Sequence, residues 1–373
     1  MIISRISENI IRSKLNQNKV IIIFGARQVG KTTLLKSLFD NDNSKLWLNG
    51  DKLEDRALFE ESSMTLLKTY IAGKKTLIID EAQRIENIGL KLKIIFDDIN
   101  IQIVATGSSS FELANKINEP LTGRKLQYEL FPFSFAELSH YHGLMEEHKQ
   151  LENRLIFGSY PDVVLNNGNR REILDNLANS YLYRDILDWN KIKSSDKLIK
   201  LLQALAFQIG SQVSYSELAN LTGLNRQTVE NYIDLLEKSH VIFKLNSFSR
   251  NMRNELKKSK KIYFYDNGIR NTLINNFNPL GLRNDVGGLW ENYIISERIK
   301  FTSYNQVYCN RYFWRTKYKQ EIDYIEERDG KLYAFEFKWN RTKKPKIPNS
   351  FRTSYPDAKI KTITPDNYTE FVM

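Results

Sequence analysis

A single cysteine, Cys309, in a chain of 373 residues excludes an internal disulfide framework and leaves no cysteine cluster for structural zinc. Prolines number only eight and glycines 17, and no long Pro/Gly/Ser linker, short internal repeat or low-complexity tract divides the chain. Long apolar runs are missing too. The longest, Val20–Phe24, is far short of the ~20 residues that a membrane-spanning helix needs. Met1–Leu15 interleaves apolar residues with Ser, Arg, Glu and Asn, without the continuous apolar stretch of a signal peptide. These absences set the expectation of a cytoplasmic protein with no membrane partner. The four histidines, His140, His142, His148 and His240, have no metal-ligand or triad spacing and read as surface or packing residues.

What is present is the mix of a globular protein, 41% hydrophobic and 27% charged, long enough for two to four compact units. The net charge of +11 is unevenly placed. Residues 251–373 hold 23 Lys/Arg against 14 Asp/Glu, so most of the positive field belongs to the last third. That field suits a polyanionic partner such as nucleic acid, although lysine-rich surfaces also serve only to solubilise.

The first 130 residues alternate apolar strand-like runs with amphipathic segments. Val20–Phe24, Lys45–Leu48, Thr76–Asp80, Ile101–Ala105 and Leu126–Leu130 read as strands, with helices over Lys31–Phe39 and Gly89–Asp98. That is the rhythm of a parallel sheet with helices on both faces. The spacing predicts four parts: a P-loop α/β domain over 1–150, a helical connector over 151–195, a winged helix-turn-helix over 196–251 and an α/β domain over 252–373.

Gly25-Ala26-Arg27-Gln28-Val29-Gly30-Lys31-Thr32 is a complete G-x-x-x-x-G-K-[ST] motif between a strand and a helix. Its glycines let the loop curl so that backbone N–H groups face a triphosphate, and the helix N-terminus adds partial positive charge. Lys31 is expected to bridge the β- and γ-phosphates of ATP, and the Thr32 hydroxyl to ligate Mg²⁺, with Thr33 beside it. Thr76–Asp80 then delivers an acidic pair at a strand's C-terminal end. Asp80 is expected to hold Mg²⁺ and Glu81 to deprotonate the attacking water. Thr106 or Ser108, at the next strand tip, is a candidate to sense the γ-phosphate. Arg27, Arg124 and Arg184 are candidates to complete the site, Arg124 first. An arginine supplied by a neighbouring subunit would require a homo-oligomer.

In the middle, Ser214-Tyr-Ser-Glu217 is a capping box, Thr222-Gly-Leu a turn, and Asn225 the cap of an amphipathic helix with Val229, Ile233, Leu235 and Leu236 on one side. This is helix-turn-helix spacing. Its second helix sets Arg226 and Lys238 against Glu230, Asp234 and Glu237, a charge that favours packing over DNA reading. Further on, Glu321-Ile-Asp323 and Glu336-Phe-Lys338 lie on successive strands, after Glu291 in a helical pattern. That is the order of restriction-endonuclease-like folds. Asp323 and Glu336 would converge on Mg²⁺, Glu291 would complete the shell, and Lys338 would share the face of Glu336 because strand side chains repeat every two residues. A scaffold that only binds, its charges tied in salt bridges, is the alternative. Lys338, Trp339, Arg341, Lys343, Lys344 and Lys346 would suit a phosphate backbone either way.

These segments together are familiar. Gly25-Ala-Arg-Gln-Val-Gly-Lys-Thr-Thr-Leu-Leu, Ile79-Asp-Glu-Ala-Gln-Arg, Ala105-Thr-Gly-Ser-Ser, Pro120-Leu-Thr-Gly-Arg, Leu130-Phe-Pro-Phe-Ser-Phe-Ala-Glu-Leu and Tyr181-Leu-Tyr-Arg-Asp-Ile are among them. Lys261-Ile-Tyr-Phe-Tyr-Asp-Asn-Gly, Glu291-Asn, Glu321-Ile-Asp and Phe335-Glu-Phe-Lys continue the pattern. The chain resembles bacterial and archaeal AAA-type ATP-binding proteins with a C-terminal domain of unknown function 4143. The resemblance covers nearly the whole chain and implies ATP binding and the domain order. Gly158-Ser-Tyr-Pro departs from it where two glycines are expected.

Overall fold

Val20–Phe24 is five apolar residues in a row, and all five are buried, as a strand covered on both faces requires. In the computed structural model, which describes residues 3–40, 42–60, 64–107, 117, 119–179, 195–249, 260–341 and 347–373, it is strand β1. It lies inside a five-stranded parallel sheet with β2 (Lys45–Asn49), β3 (Thr76–Asp80), β4 (Gln102–Gly107) and β5 (Lys125–Glu129), in the order β2-β3-β4-β1-β5. Isoleucines 21, 22 and 23 are wholly removed from water, which stabilises the sheet by about 1.5–3 kcal/mol for each side chain. Strand β4 separates β1 from β3, with Ile23 beside Thr106 and Ala105 beside Ile79. It runs two residues further than its apolar run implies, because pairing with β1 continues to Gly107.

The chain divides into two compact units: Met1–Pro132 with Lys238–His240, and Phe133–Glu237 with Val241–Met373. Residues 133–150 therefore leave the nucleotide-domain unit to which the pattern assigned them. Local bonds explain this. Ser134 and Glu137 form a capping box for the helix Phe135–His142, and the Phe135 N–H donates to Glu297 at 2.6 Å.

The second unit is built on one seven-stranded sheet, in the order β12-β11-β10-β9-β7-β8-β6. Its strands are β6 (Gln212–Val213), β7 (Ile242–Ser247), β8 (Lys260–Phe264), β9 (Asn310–Arg315), β10 (Glu321–Arg328), β11 (Lys331–Phe337) and β12 (Lys359–Ile363). The expected helix-turn-helix is formed by Tyr215–Thr222 and Arg226–Lys238. Ser214 caps the first helix, Gly223 closes it at φ 64°, and the Asn225 side chain accepts from Thr228 N–H at 2.7 Å. Its wing, however, pairs onward: β7 lies parallel to β9, with Ser247 beside Phe313. The sheet thus crosses the boundary expected at 251/252. The helix Val286–Tyr304 packs on this sheet through buried Arg298, which donates to both oxygens of Glu326 at 2.7 and 3.0 Å.

Gly158 and Asp266 set how the turn before Pro161 is built. Gly158 has φ +73°, and a Cβ there would come within 2.0 Å of the Asp266 carboxylate. That carboxylate accepts from the Ser159 N–H at 2.7 Å and caps the helix Asn267–Leu273 through Ile269 N–H. One glycine is therefore enough for the turn, and serine fits at 159. Gly158→Ala is expected to lower the stability of this unit by about 2 kcal/mol or more, read from its unfolding midpoint. A parent-like midpoint would contradict this account.

Asp285, ahead of the helix Val286–Tyr304, bonds Arg283 at 2.8 Å and Arg270 at 2.5 Å. Burial would push its carboxyl up, but the two guanidiniums outweigh burial and hold it down at about 2. A depressed carboxylate contributes stability above its unfolded value, and the contribution fades as pH falls toward 2. Asp285→Asn should therefore cost on the order of 1–2 kcal/mol at neutral pH, less screening by solvent, and almost nothing near pH 2. Denaturant unfolding at several pH values measures this, and a pH-independent cost would count against the ion pairs.

Candidate functional site

The loop after β1 has the shape that phosphates need. Gln28 and Gly30 both have positive φ, at 61° and 97°, turning the chain back before the helix Lys31–Phe39. Ala26 and Val29 anchor it as buried side chains, Arg27 is half-buried, and Gln28, Thr32 and Thr33 are exposed. Lys31 is buried, and its ammonium donates to the carbonyls of Gly25 and Ala26 at 3.0 and 2.9 Å. A phosphate would take over that charge.

Asp80 ends β3 buried between two hydroxyls. Thr32 donates to its Oδ2 at 2.7 Å, and Thr106 donates to its Oδ1 at 2.5 Å. The Glu81 N–H in turn donates to the Thr106 Oγ1 at 3.2 Å. Two strand ends and the start of a helix are thereby tied through one carboxylate. Glu81 sits in the left-handed region at φ 50°, and its carboxylate accepts from the Gln83 amide at 2.6 Å. Gly50 makes this possible, because a Cβ there would lie 2.2 Å from the Glu81 carbonyl oxygen.

Sequence reading missed two supports of this loop. Arg5, buried ahead of the first helix, donates to the Val29 carbonyl at 2.8 Å and the Phe131 carbonyl at 2.6 Å. Gln83 is the other. Nothing in the spacing of an N-terminal arginine announces a loop brace, whereas Gln83 lies only two residues beyond Glu81.

Arg124 does not reach this site in its own chain. Its carbonyl accepts from Val20 N–H, at the start of β1, while the loop follows Phe24, roughly 13 Å further along at 3.3 Å per residue. Its guanidinium bonds Asp97 at 2.9 Å on the surface. Parallel pairing of β5 with β1 puts the two at opposite sheet ends. Ser108 and Arg184 lie outside the described residues.

In the second unit the structure brings Glu291, Asp323, Glu336 and Lys338 together, as expected from the sequence. Asp323 stands at a register shift in β10, a device that re-aims side chains, and accepts from the Phe337 N–H at 2.8 Å. Lys338 donates to Glu336 at 2.9 Å and lies 4.0 Å from Asp323. Lys261, on β8 and almost wholly buried, was not foreseen. It bonds Glu291 at 2.9 Å and also pairs with Glu321, while the Tyr263 hydroxyl donates to Glu291 at 2.5 Å. Burial, Glu291 and Glu336 push Asp323 well above the usual carboxylate range. Burial also raises Glu336 despite Lys338 beside it. Against the cost of burial, Glu291, Glu321 and Asp323 hold Lys261 above the ordinary lysine value.

Among the described residues no three His, Cys, Asp or Glu side chains are grouped to hold a metal ion. Glu291 meets Lys261 and the Tyr263 hydroxyl, Asp323 meets the Phe337 N–H, and Glu336 meets Lys338. Lys343, Lys344 and Lys346 lie outside the described residues. Among the histidines, His240 is buried, and burial pushes it down to about 4. His142 pairs with Glu147 at 2.9 Å. No described helix is long and apolar enough to cross a membrane.

Three family models match in sequence: an AAA domain over residues 17–139, a domain of unknown function (DUF8612) over 148–280, and a domain of unknown function (DUF4143) over 286–367. The chain is 25% identical to the uncharacterized protein MJ1544 of Methanocaldococcus jannaschii, across 95% of this chain and 82% of that one. It is also 25% identical to the uncharacterized protein Rv2008c of Mycobacterium tuberculosis, across 94% and 76%. Among solved structures, the Walker-type ATPase PABY2304 of Pyrococcus abyssi matches with a TM-score of 0.52 at 15% identity, covering 73% of this chain and 96% of that one, a likeness of fold. With an AAA domain of Walker-type ATPase fold at one end and DUF4143 at the other, the chain is an AAA-type protein with a C-terminal domain of unknown function 4143.

Proposed function

We propose that the chain binds ATP with Mg²⁺ at the Lys31–Asp80 site and hydrolyses it. In this reading its nucleotide state governs a C-terminal module that binds nucleic acid. The observation that carries the first part is the Asp80 carboxylate held between the Thr32 and Thr106 hydroxyls at 2.7 and 2.5 Å. Thr32 and Asp80 are hard oxygen donors at the mouth of a phosphate loop, the set that suits Mg²⁺. When bound there, Mg²⁺ neutralises charge on the β- and γ-phosphate oxygens.

The chain's own groups do the rest. Loop N–H groups and the helix N-terminus cradle the phosphates, and Lys31 exchanges its two carbonyl partners for phosphate oxygens. Glu81 takes a proton from the attacking water, with Gln83 fixing the direction of its carboxylate. Thr106, bonded at once to Asp80 and to the Glu81 N–H, links the metal-binding and the proton-accepting groups. Arg124, at the far end of β1, serves only another subunit's nucleotide in this reading, which makes the active form a homo-oligomer.

The second part draws on the positive charge of residues 251–373 and on Lys338, Trp339 and Arg341 at one end of the sheet. In this reading the module binds nucleic acid, and the carboxylate cluster, paired with lysines, holds the residues that would cut it. An ATP-controlled assembly switch with an inert C-terminal module is the second reading, and the same neutralised cluster favours it.

Glu81→Gln should keep ATP bound while lowering turnover by about 10²–10⁴, the usual worth of a general base. Parallel measurements of ATP affinity and phosphate release test this. Turnover equal to the parent's would remove Glu81 from its role.

A further inference from the structure

Strand pairing gathers one kind of side chain at one end of the second unit's sheet. Arg315 ends β9 opposite Glu321, which begins β10, and β11 runs antiparallel to β10, so Lys338 and Trp339 emerge at that same end. The turn between β9 and β10 projects there as Thr316-Lys317-Tyr318-Lys319-Gln320. Its backbone is closed by Thr316 N–H to Gln320 carbonyl at 2.9 Å and Lys319 N–H to Thr316 carbonyl at 3.1 Å. The Ser350 hydroxyl donates to the Gln320 side chain at 2.6 Å, securing the base of the turn.

The tip itself is unusual. Tyr318 is 90% exposed, a large aromatic ring given to water, and the lysines on both sides of it are exposed as well. Among the described residues, none of these three side chains has a hydrogen-bond or ion-pair partner. The ring therefore does no packing and the ammonium groups balance no acid. Beside the turn, Glu321 is paired with Arg315 and Lys261, and Glu336 with Lys338. The turn itself carries two lysines and no acid.

An aromatic face between two cations on a closed turn fits a chain that offers a flat base beside each phosphate. We propose that the β9–β10 turn is a single-stranded nucleic-acid contact, with Tyr318 stacking on an unpaired base and Lys317 and Lys319 each meeting a phosphate. An unpaired base is specified because a base inside a duplex keeps both faces stacked on its neighbours. This rests on the proposed nucleic-acid reading of the C-terminal module and names its contact. The site needs no cleavage and no metal.

The test uses the full chain and a fluorescently labelled oligothymidylate of about 20 nucleotides, with anisotropy read across a range of salt concentrations. Tyr318→Ala should weaken binding about tenfold, the worth of one stacked base, and Tyr318→Phe should bind like the parent because the ring and not the hydroxyl makes the contact. Lys317→Ser with Lys319→Ser should flatten the slope of log affinity against log salt by about 1.4, two phosphates at ~0.7 each. ATP turnover should be unchanged in all three. If the parent binds no oligonucleotide, single-stranded or duplex, the nucleic-acid reading itself fails. If the parent binds and Tyr318→Ala binds equally well, the proposal for this turn is overturned and the reading stands.

Discussion

One carboxylate organises the first unit. Asp80 leaves water at the end of an apolar strand, and a buried carboxylate is tolerated only when hydrogen bonds replace its hydration. Its two oxygens are met by hydroxyls from different elements, Thr32 on the loop helix and Thr106 on β4. Satisfying that one group fixes how far the loop stands from β3 and where β4 ends. It also fixes Glu81, whose N–H is held by the same Thr106 hydroxyl. The insertion of β4 between β1 and β3 is what brings Thr106 within reach.

The second unit solves a like problem with the opposite sign of help. Several carboxylates meet near the starts of β10 and the end of β11, and buried or half-buried ammonium groups neutralise them. Removing Lys261 would leave Glu291 and Glu321 without their shared cation, the costly way to break a buried pair. The same sheet end then offers its remaining positive charge outward, through the turn between β9 and β10.

How much could be read from the sequence depended on how local each feature is. The loop Gly25–Thr32, the buried strand before it and the acidic pair at Asp80 are contiguous, so their pattern carries their geometry. Asp323, Glu336 and Lys338 were also legible, since the two-residue period of strands puts Glu336 and Lys338 on one face. What stayed hidden depends on distant pairing. Lys261 looks like any surface lysine until β8 is placed in the sheet, and Arg5 acts on carbonyls 24 and 126 residues away. The place of Arg124 was hidden for the same reason: only parallel pairing of β5 with β1 reveals which end of the sheet it occupies. The pairing of β7 with β9 across 251/252 was hidden in the same way.

The most direct measurement is calorimetric titration of ATP, with and without Mg²⁺, into the parent and Asp80→Asn. The account predicts that Mg²⁺ tightens ATP binding by the parent, and that Asp80→Asn loses this gain while still binding the free nucleotide. Equal responses to Mg²⁺ in the two proteins, or no ATP binding by the parent, would contradict it.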